Sequence, residues 1–567
     1  MDYNKLAELL FPQIDKTPED YEAMFPQRQN AAGGAVITRL GPSPTGFIHL
    51  GNLYGAFVDE RLAHQSKAAD GTPGTFYLRI EDTDDKRYVE GAVDTIINSL
   101  KFFGITFDEG AGCGQPDADG EPTDAGDYGS YYQSKRGPIY QAFVKRLVSQ
   151  GKAYPCFLTE EELADIRAQQ EAAKETTGIY GKYAEKNRSL TYEEVEANIA
   201  AGKPYVIRLR SKGNQGPDGV VYIHVNDAIR GDVSMPANDQ DVIILKASGI
   251  PTYHFAHVID DHLMRTTHVV RGEEWLMSLP IHIELFEALG LEPPIYCHTA
   301  VLMKLDDETG NKRKLSKRKD PELSLDYYRQ EGYHPQAVKE YLLTILNSNF
   351  EEWRMANPDA DIDEFEFTTE KMNSAGALFD LNKLNDISKD VLLKIPADEL
   401  ADFLLEWARE FKPKAAPLLE DKEYLTKILN IGRDDAKPRK DLIYAKQIFD
   451  FISYFYDEYF VIEERIPEQV CDEDAKEILK RYLDTYDHSD DQSQWFEKIR
   501  TITADLGYAV KPKDYKKHPD EYKGSVAHVS TVIRIAVMGR SQSPDVWTIQ
   551  QILGEDKVRA RISELIG

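Results

Sequence analysis

Between residues 35 and 104 the hydrophobic period of the chain changes from strand to helix twice, which limits its possible folds more than any other feature. Ala35-Val36-Ile37-Thr38-Arg39-Leu40 reads as a buried strand, and Leu50, Leu53, Phe57, Val58 and Leu62 then recur at helical spacing. Residues 75–80 form a second strand that runs into Glu81-Asp82-Thr83-Asp84. Val93, Ile96, Ile97, Leu100 and Phe103 mark a second helix, stopped by Gly104. Strand and helix in alternation imply a parallel sheet covered by helices, because parallel neighbours need a crossover connection. The chain has 567 residues, so this sheet is one of roughly three or four domains at about 150 residues each.

The alternation breaks at residues 110–129, whose Gly, Asp and Pro content predicts a surface loop. The G-x-G-x-G within it is no nucleotide fingerprint, since no strand leads directly into it. Charged helices at 160–175 and 192–200 and a short strand at 204–210 suggest an insertion over 133–235. Strands at 241–245 and 267–270, with a helix at 281–289, are expected to complete the same sheet. Beyond Pro321 the pattern is helical, with amphipathic runs at 337–346, 398–411 and 440–459. At the other end Thr17-Pro18-Glu19-Asp20 offers a helix cap, so residues 1–34 read as a helical appendage. The expected domains are therefore 1–34, 35–132, 133–235 and 236–320, followed by one or two all-α units.

With 97 acidic against 68 basic residues the net charge is -29, so a polyanionic partner must meet local basic patches. Four scattered cysteines (Cys113, Cys156, Cys297, Cys471) give neither a disulfide framework nor a four-thiolate zinc site. Without a run of about 18 apolar residues, a cytoplasmic protein with no membrane partner is expected.

Two stretches carry chemistry. The turn Arg39-Leu-Gly-Pro-Ser-Pro-Thr-Gly-Phe-Ile-His-Leu-Gly-Asn52 joins the first strand to the first helix, where such sheets bind ligands and a helix N-terminus favours phosphate. Ser43, Thr45 and His49 add donors there without fixed negative charge, and the turn is no P-loop. Lys312-Arg-Lys-Leu-Ser-Lys-Arg-Lys319 puts six cations in eight positions of an acidic chain, a sequence suited to neutralising a leaving pyrophosphate.

These strings resemble the two signatures of class I aminoacyl-tRNA synthetases. R-I-E-D-T-D at 79–84, Y-Y-Q-S-K-R at 131–136, P-T-Y-H-F-A at 251–256, V-I-D-D-H at 258–262 and V-V-R-G-E-E-W at 269–275 sharpen the likeness to bacterial-type glutamyl-tRNA synthetases. It is close over residues 36–350 and returns at 524–562. The resemblance implies an α/β fold class: a doubly wound, parallel-sheet (Rossmann-like) catalytic domain in two halves, 35–132 and 236–320. It also implies an inserted α+β acceptor-binding domain, a stem-contact helical domain at 321–395 and an all-α anticodon-binding region at 396–567.

By the same resemblance His49, Lys314 and Lys317 are catalytic. Arg39, Ser43, Glu81, Tyr253, His257 and Arg271 bind glutamate. Thr45, His49, Gly51, Asn52, Glu274, Leu302, Lys314, Leu315, Ser316, Lys317 and Arg318 bind the nucleotide. The charges agree, because two arginines suit two carboxylates and Glu81 suits an ammonium group; a structural Arg39–Glu81 ion pair is the competing reading. The implied substrates are L-glutamate, ATP with Mg²⁺, tRNA(Glu) and, as an alternative, also tRNA(Gln), used by a monomer. No protein-bound zinc is expected, because Cys156 lacks the family's partner cysteines. Asn52 stands where the signature has a second histidine, and His257 where some relatives have asparagine.

Lys511, Lys513, Lys516, Lys517 and His518, followed by Arg534 and Arg540, are expected to meet tRNA phosphates. A glutaminyl-tRNA synthetase is expected to show P-E-P at 42–44 and a β-barrel tail, and the shortened relative that modifies a tRNA base stops near residue 330. A non-catalytic tRNA-binding paralogue would not need His49, Lys314 and Lys317, and a small-molecule nucleotidyltransferase would lack the helical half.

Overall fold

The structure is a computed structural model that describes residues 1–44, 48–84, 89–118, 120, 122–306, 308–374 and 376–566. It divides into two compact units, one of Met1–Leu325 with Lys339–Asp380 and one of Asp326–Val338 with Leu381–Gly567.

The first unit opens with helices α1 (Tyr3–Leu10), α2 (Pro18–Met24) and α3 (Gln29–Ala32). Thr17 caps α2 reciprocally: its hydroxyl accepts from Asp20 N–H at 3.3 Å, and the Asp20 carboxylate accepts from Thr17 N–H at 2.7 Å. Strand β1 (Ile37–Leu40) is fully buried, α4 (Leu50–Gln65) follows the turn, and β2 (Thr75–Leu78) lies parallel to β1 with Ile37 opposite Thr75. Helix α5 (Ala92–Phe102) leads to β3 (Glu109–Gly110), which is parallel to β2. Here the expected loop departs from the structure: its first residue, Gly110, ends the third strand, which is too short to show a period.

The segment expected to be an insertion contains α6 (Gly137–Ser149), β4 (Ala153–Cys156), α7 (Glu160–Ala173), α8 (Lys182–Arg188), α9 (Tyr192–Ala200) and β5 (Val206–Leu209). After these come β6 (Gln215–Gly216), β7 (Gly219–Val220), and the two-stranded ribbon β8 (Tyr222–Asp227) and β9 (Gly231–Pro236). β10 (Ile243–Leu245) corrects the sequence reading. It pairs antiparallel with β5, and β5 with β4, so it belongs to the insertion's sheet and not to the parallel one. An apolar run encodes burial but not which neighbour it pairs with.

Helix α10 (Tyr253–Leu263), β11 (His268–Gly272), α11 (Leu279–Leu289) and β12 (Ile295–Thr299) supply the second parallel pair, β11 with β12. Thr267 N–H donates to Ile37 O at 3.0 Å, setting this pair beside β1. The cationic stretch begins inside a hairpin, β13 (Leu302–Leu305) against β14 (Lys312–Lys314), and β15 (Ala377–Leu378) runs parallel to β13.

The second unit is helical. Leu404, Ile428, Phe449, Ile478, Ile533 and Ile562 belong to one buried cluster that joins helices from Ala397–Phe411 to Glu555–Ile566. The helix expected over 440–459 is confined to Ala445–Ile452 and gives way to a 3₁₀ turn at Ser453–Phe455. Among the described residues no helix is long and apolar enough to cross a membrane.

Candidate active site

A cleft of about 450 Å³ opens at the carboxyl ends of β1, β11 and β12. Twelve of the anticipated residues line it: Arg39, His49, Gly51, Asn52, Glu81, Tyr253, Arg271, Glu274, Leu302, Lys314, Leu315 and Lys317. The two sequence signatures, some 260 positions apart, therefore face one space. The backbone helps to join them, since His49 bridges antiparallel to Ser324 just beyond the cationic loop.

At one end of the cleft His49 caps α4. Its Nδ1 accepts from Asn52 N–H at 3.2 Å, while Asn52 Oδ1 accepts from His49 N–H at 3.1 Å. This reciprocal cap is the work of Asn52, and it fixes the imidazole with its proton on Nε2. Burial, reinforced by Lys317 and Lys314, lowers the His49 pKa, so the ring is a neutral donor at neutral pH. Lys314 ends β14 opposite Met303, and Asp320 braces the loop that follows. The Asp320 carboxylate accepts from Arg313 Nη1 and Nη2 at 2.6 and 2.7 Å and from Ser316 N–H at 2.8 Å.

At the other end Asp261 is the hub. It accepts from Arg79 Nη1 at 2.6 Å and from Arg39 Nε at 3.2 Å, and lies 2.5 Å from His257 Nδ1. Burial alone would raise the Asp261 pKa, but Arg79 and Arg39 hold it well below the usual carboxylate range. Glu81 accepts from Arg79 Nη2 at 3.1 Å, so the competing Arg39–Glu81 pair is replaced by separate partners for each. Burial raises the Glu81 pKa against the pull of both arginines. Two glycines make room for the carboxylates: a Cβ on Gly41 would meet Glu81 Oε1 at 2.5 Å, and one on Gly272 would overlap the Glu274 carboxylate. Trp275 packs on Tyr253 with ring centroids 4.4 Å apart.

Some anticipated residues stand elsewhere. His257 is fully buried behind Tyr253, bonded through Nε2 to Tyr296 OH at 3.1 Å, because it sits on the inner face of α10. Ser43 and Arg318 are exposed and Ser316 is half-buried, and none of the three lines the cleft. Thr45 lies outside the described residues. The sequence reading gave no role to Trp275, Tyr54, Asp59 or Asp261, although Trp275 and Asp261 fall inside quoted strings. Those strings also hold one another: Gln133 Nε2, Arg136 Nε and Tyr140 OH donate to Asp260 at 2.9, 2.7 and 2.6 Å, and Ser134 Oγ donates to Asp82 at 2.5 Å.

The second unit has its own cavity of about 850 Å³, lined by Lys437, Arg439, Tyr454, Arg540, Gln542 and Trp547 among others. Lys511, Lys513, Lys516 and Lys517 are exposed, whereas Arg540 is engaged by Glu463 at 2.7 Å and Arg534 by Ser541 O at 3.0 Å. The two arginines that follow the lysine segment are thus held by partners within the protein.

Residues 35–386 match the family model described as tRNA synthetases class I (E and Q), catalytic domain, and residues 399–566 match an anticodon binding domain. A glutamate–tRNA ligase of Acetivibrio thermocellus is 62% identical over 568 residues and covers the whole of both chains. One from Clostridium perfringens is 48% identical, covering 99% of this chain and 100% of that one. The crystal structure of a glutamate tRNA ligase from Elizabethkingia meningosepticum in complex with its amino acid aligns with a TM-score of 0.69 at 27% identity, over 94% of this chain and 99% of that one. Matched in both its catalytic and its anticodon-binding parts, the chain belongs to the class I tRNA synthetases, within the branch of the glutamate–tRNA ligases.

Proposed function

We propose that this enzyme activates L-glutamate with ATP and transfers it to the 3′ end of tRNA(Glu). A glutamate carboxylate oxygen attacks the α-phosphorus of ATP, which enters as its magnesium complex, and pyrophosphate leaves. A ribose hydroxyl of the terminal adenosine then attacks the glutamyl carbonyl, and AMP leaves. Neither step needs a protein nucleophile, so the enzyme's task is positioning and charge stabilisation. The observation that carries this reading is the cleft that gathers a neutral donor, two lysines, two arginines and a carboxylate around one space.

In this reading His49 Nε2–H donates to the phosphates, and Lys314 and Lys317 take up the charge that grows on the departing pyrophosphate. Arg39 and Arg271 bind the substrate carboxylates, Glu81 its ammonium group, and Glu274 and Leu302 contact the nucleotide. The helical unit binds the anticodon arm, with the lysines of 511–517 on phosphates. The enzyme acts as a cytoplasmic monomer without protein-bound zinc.

The test is pyrophosphate exchange and charging with tRNA(Glu), glutamate and ATP. Lys317→Ala should lose on the order of 3 kcal/mol of transition-state stabilisation, more than a hundredfold in rate, while tRNA affinity and melting temperature stay near the parent's. Normal turnover in that variant would remove Lys317 from the chemistry. The same assay with tRNA(Gln) measures whether that tRNA is a second substrate.

A further inference from the structure

Among the described residues no carboxylate lies within ion-pair distance of Arg271, although this side chain is buried and lines the cleft. Its neighbours are rings. Nε donates to His298 Nε2 at 3.0 Å, Nη1 to His282 Nδ1 at 3.1 Å, and Cζ lies 4.7 Å from the centroid of Tyr296. Among the described residues Nη2 has no hydrogen-bond partner. Arg39, the other cleft arginine, is by contrast paired with Asp261 at 3.2 Å. The two guanidinium groups therefore differ, one compensated by a carboxylate and one not.

A guanidinium can only donate, so both imidazole nitrogens that face Arg271 must present lone pairs. In His298 this requires the proton on Nδ1, which donates to Asp227 Oδ2 at 2.6 Å. In His282 it requires the proton on Nε2, which faces His254 Nδ1 at 3.0 Å. Both rings are fully buried, and burial lowers their pKa values, keeping them neutral. Asp227 ends β8 and serves two sets of donors: Oδ2 accepts from both His298 Nδ1–H at 2.6 Å and His298 N–H at 3.1 Å, and Oδ1 accepts from Ile229 N–H at 3.0 Å and Arg230 N–H at 2.9 Å in the ribbon turn. A carboxylate in place of His298 would cancel the charge on Arg271. A neutral acceptor satisfies the donor and leaves the charge for an incoming anion.

Building on the function proposed above, we propose that Asp227 and His298 are positioning residues that hold Arg271 as an uncompensated cation, so that the pocket selects an acidic side chain over its amide. With Arg271 on the side-chain carboxylate, glutamine has the shape of glutamate but its side chain brings no charge, and its NH₂ group would meet a donor.

Asp227→Asn tests this with little change in shape. Its Oδ1 can keep the turn bonds and the longer 3.3 Å bond from His298 N–H, but its NH₂ then faces His298 Nδ1, which forces the proton to Nε2 against Arg271 Nε–H. The Michaelis constant for glutamate should rise about tenfold or more while that for ATP stays within about twofold. The preference for glutamate over glutamine as a competing ligand should narrow by a similar factor. Nitrogen-15 spectra of histidine-labelled protein should show one buried imidazole exchange its protonated and unprotonated nitrogens. His298→Leu, which removes the acceptor, should reproduce the kinetic change, and His298→Gln, which restores one, should recover part of it.

An unchanged Michaelis constant for glutamate in a tautomer-reversed Asp227→Asn enzyme would overturn the proposal. So would equal increases for glutamate and ATP, which mark a general structural defect. If the parent enzyme did not use glutamate at all, the functional reading itself would fall, and this proposal with it.

Discussion

At the scale of single residues, the capping role of His49 can be separated from the catalytic role proposed for it. It caps α4 through Nδ1, and in the proposed reaction Nε2–H is the donor to the phosphates. Asparagine is also a good cap but is too short to place a donor where Nε2 stands. His49→Asn should therefore keep stability within about 0.5 kcal/mol, whereas His49→Ala should lose about 1 kcal/mol. Both should lose roughly a hundredfold in adenylate formation. Thermal melts and pyrophosphate exchange check the two halves, and a fast His49→Asn enzyme would assign the histidine to capping alone. His64 offers a pH test. Hydrogen bonds to Asp108 at 2.9 Å and to Glu60 push its pKa up to about 10. A folded pKa raised above the unfolded value of about 6.5 gives stability that is fully present below that value and lost as pH rises through the folded one. In urea melts the parent's advantage over His64→Gln should be largest near pH 6 and shrink toward about pH 10; an advantage growing with pH would contradict the pairing.

Among the elements, the hairpin β13–β14 and the loop after it show how a cationic flap is held in an acidic protein. Arg313 pulls the Asp320 carboxyl down to about 2, and the bidentate pair with the Ser316 N–H bond closes the loop that carries Lys317. Asp320→Asn should loosen this closure and lower the rate of adenylate formation by roughly tenfold or more, with the Michaelis constant for glutamate unchanged. Pre-steady-state measurement of pyrophosphate release decides it, and an unaltered rate would show that the brace is dispensable. Much of this half was legible in the sequence because β1, α4, β2 and α5 have strong local periods and the helix caps have local chemistry. What was not legible depends on distant partners. β3 has two residues, β12 (Ile-Tyr-Cys-His-Thr) mixes polar and apolar side chains, and the run of β10 does not say that β5 is its neighbour. The same holds in the site: Asp260 and Asp261 stand in a quoted string, but their partners Arg136, Arg79 and Arg39 lie more than 120 positions earlier.

For the molecule as a whole, the net charge of -29 makes nucleic-acid binding a matter of placement. Overall repulsion must be overcome by a few local cations, and each phosphate they neutralise releases counterions. The helix Pro512–Lys517 and its flanks expose Lys511, Lys513, Lys516 and Lys517. Arg540 faces a cavity, but Glu463 and the carbonyl of Asp450 hold its guanidinium. These two groups should therefore respond differently to mutation. Replacing Lys513, Lys516 and Lys517 together with alanine should weaken tRNA(Glu) binding and flatten the plot of log affinity against log salt by about 0.7–0.9 for each phosphate that is no longer neutralised, leaving the Michaelis constant for ATP unchanged. Arg540→Ala should instead lower the melting temperature and change the salt slope little, because its charge is spent within the protein. Filter-binding titrations across a range of salt read both slopes. A triple variant with the parent's slope would return the lysine segment to the status of an ordinary solvated face, and tRNA phosphates would then have to be met by other cations of this acidic chain.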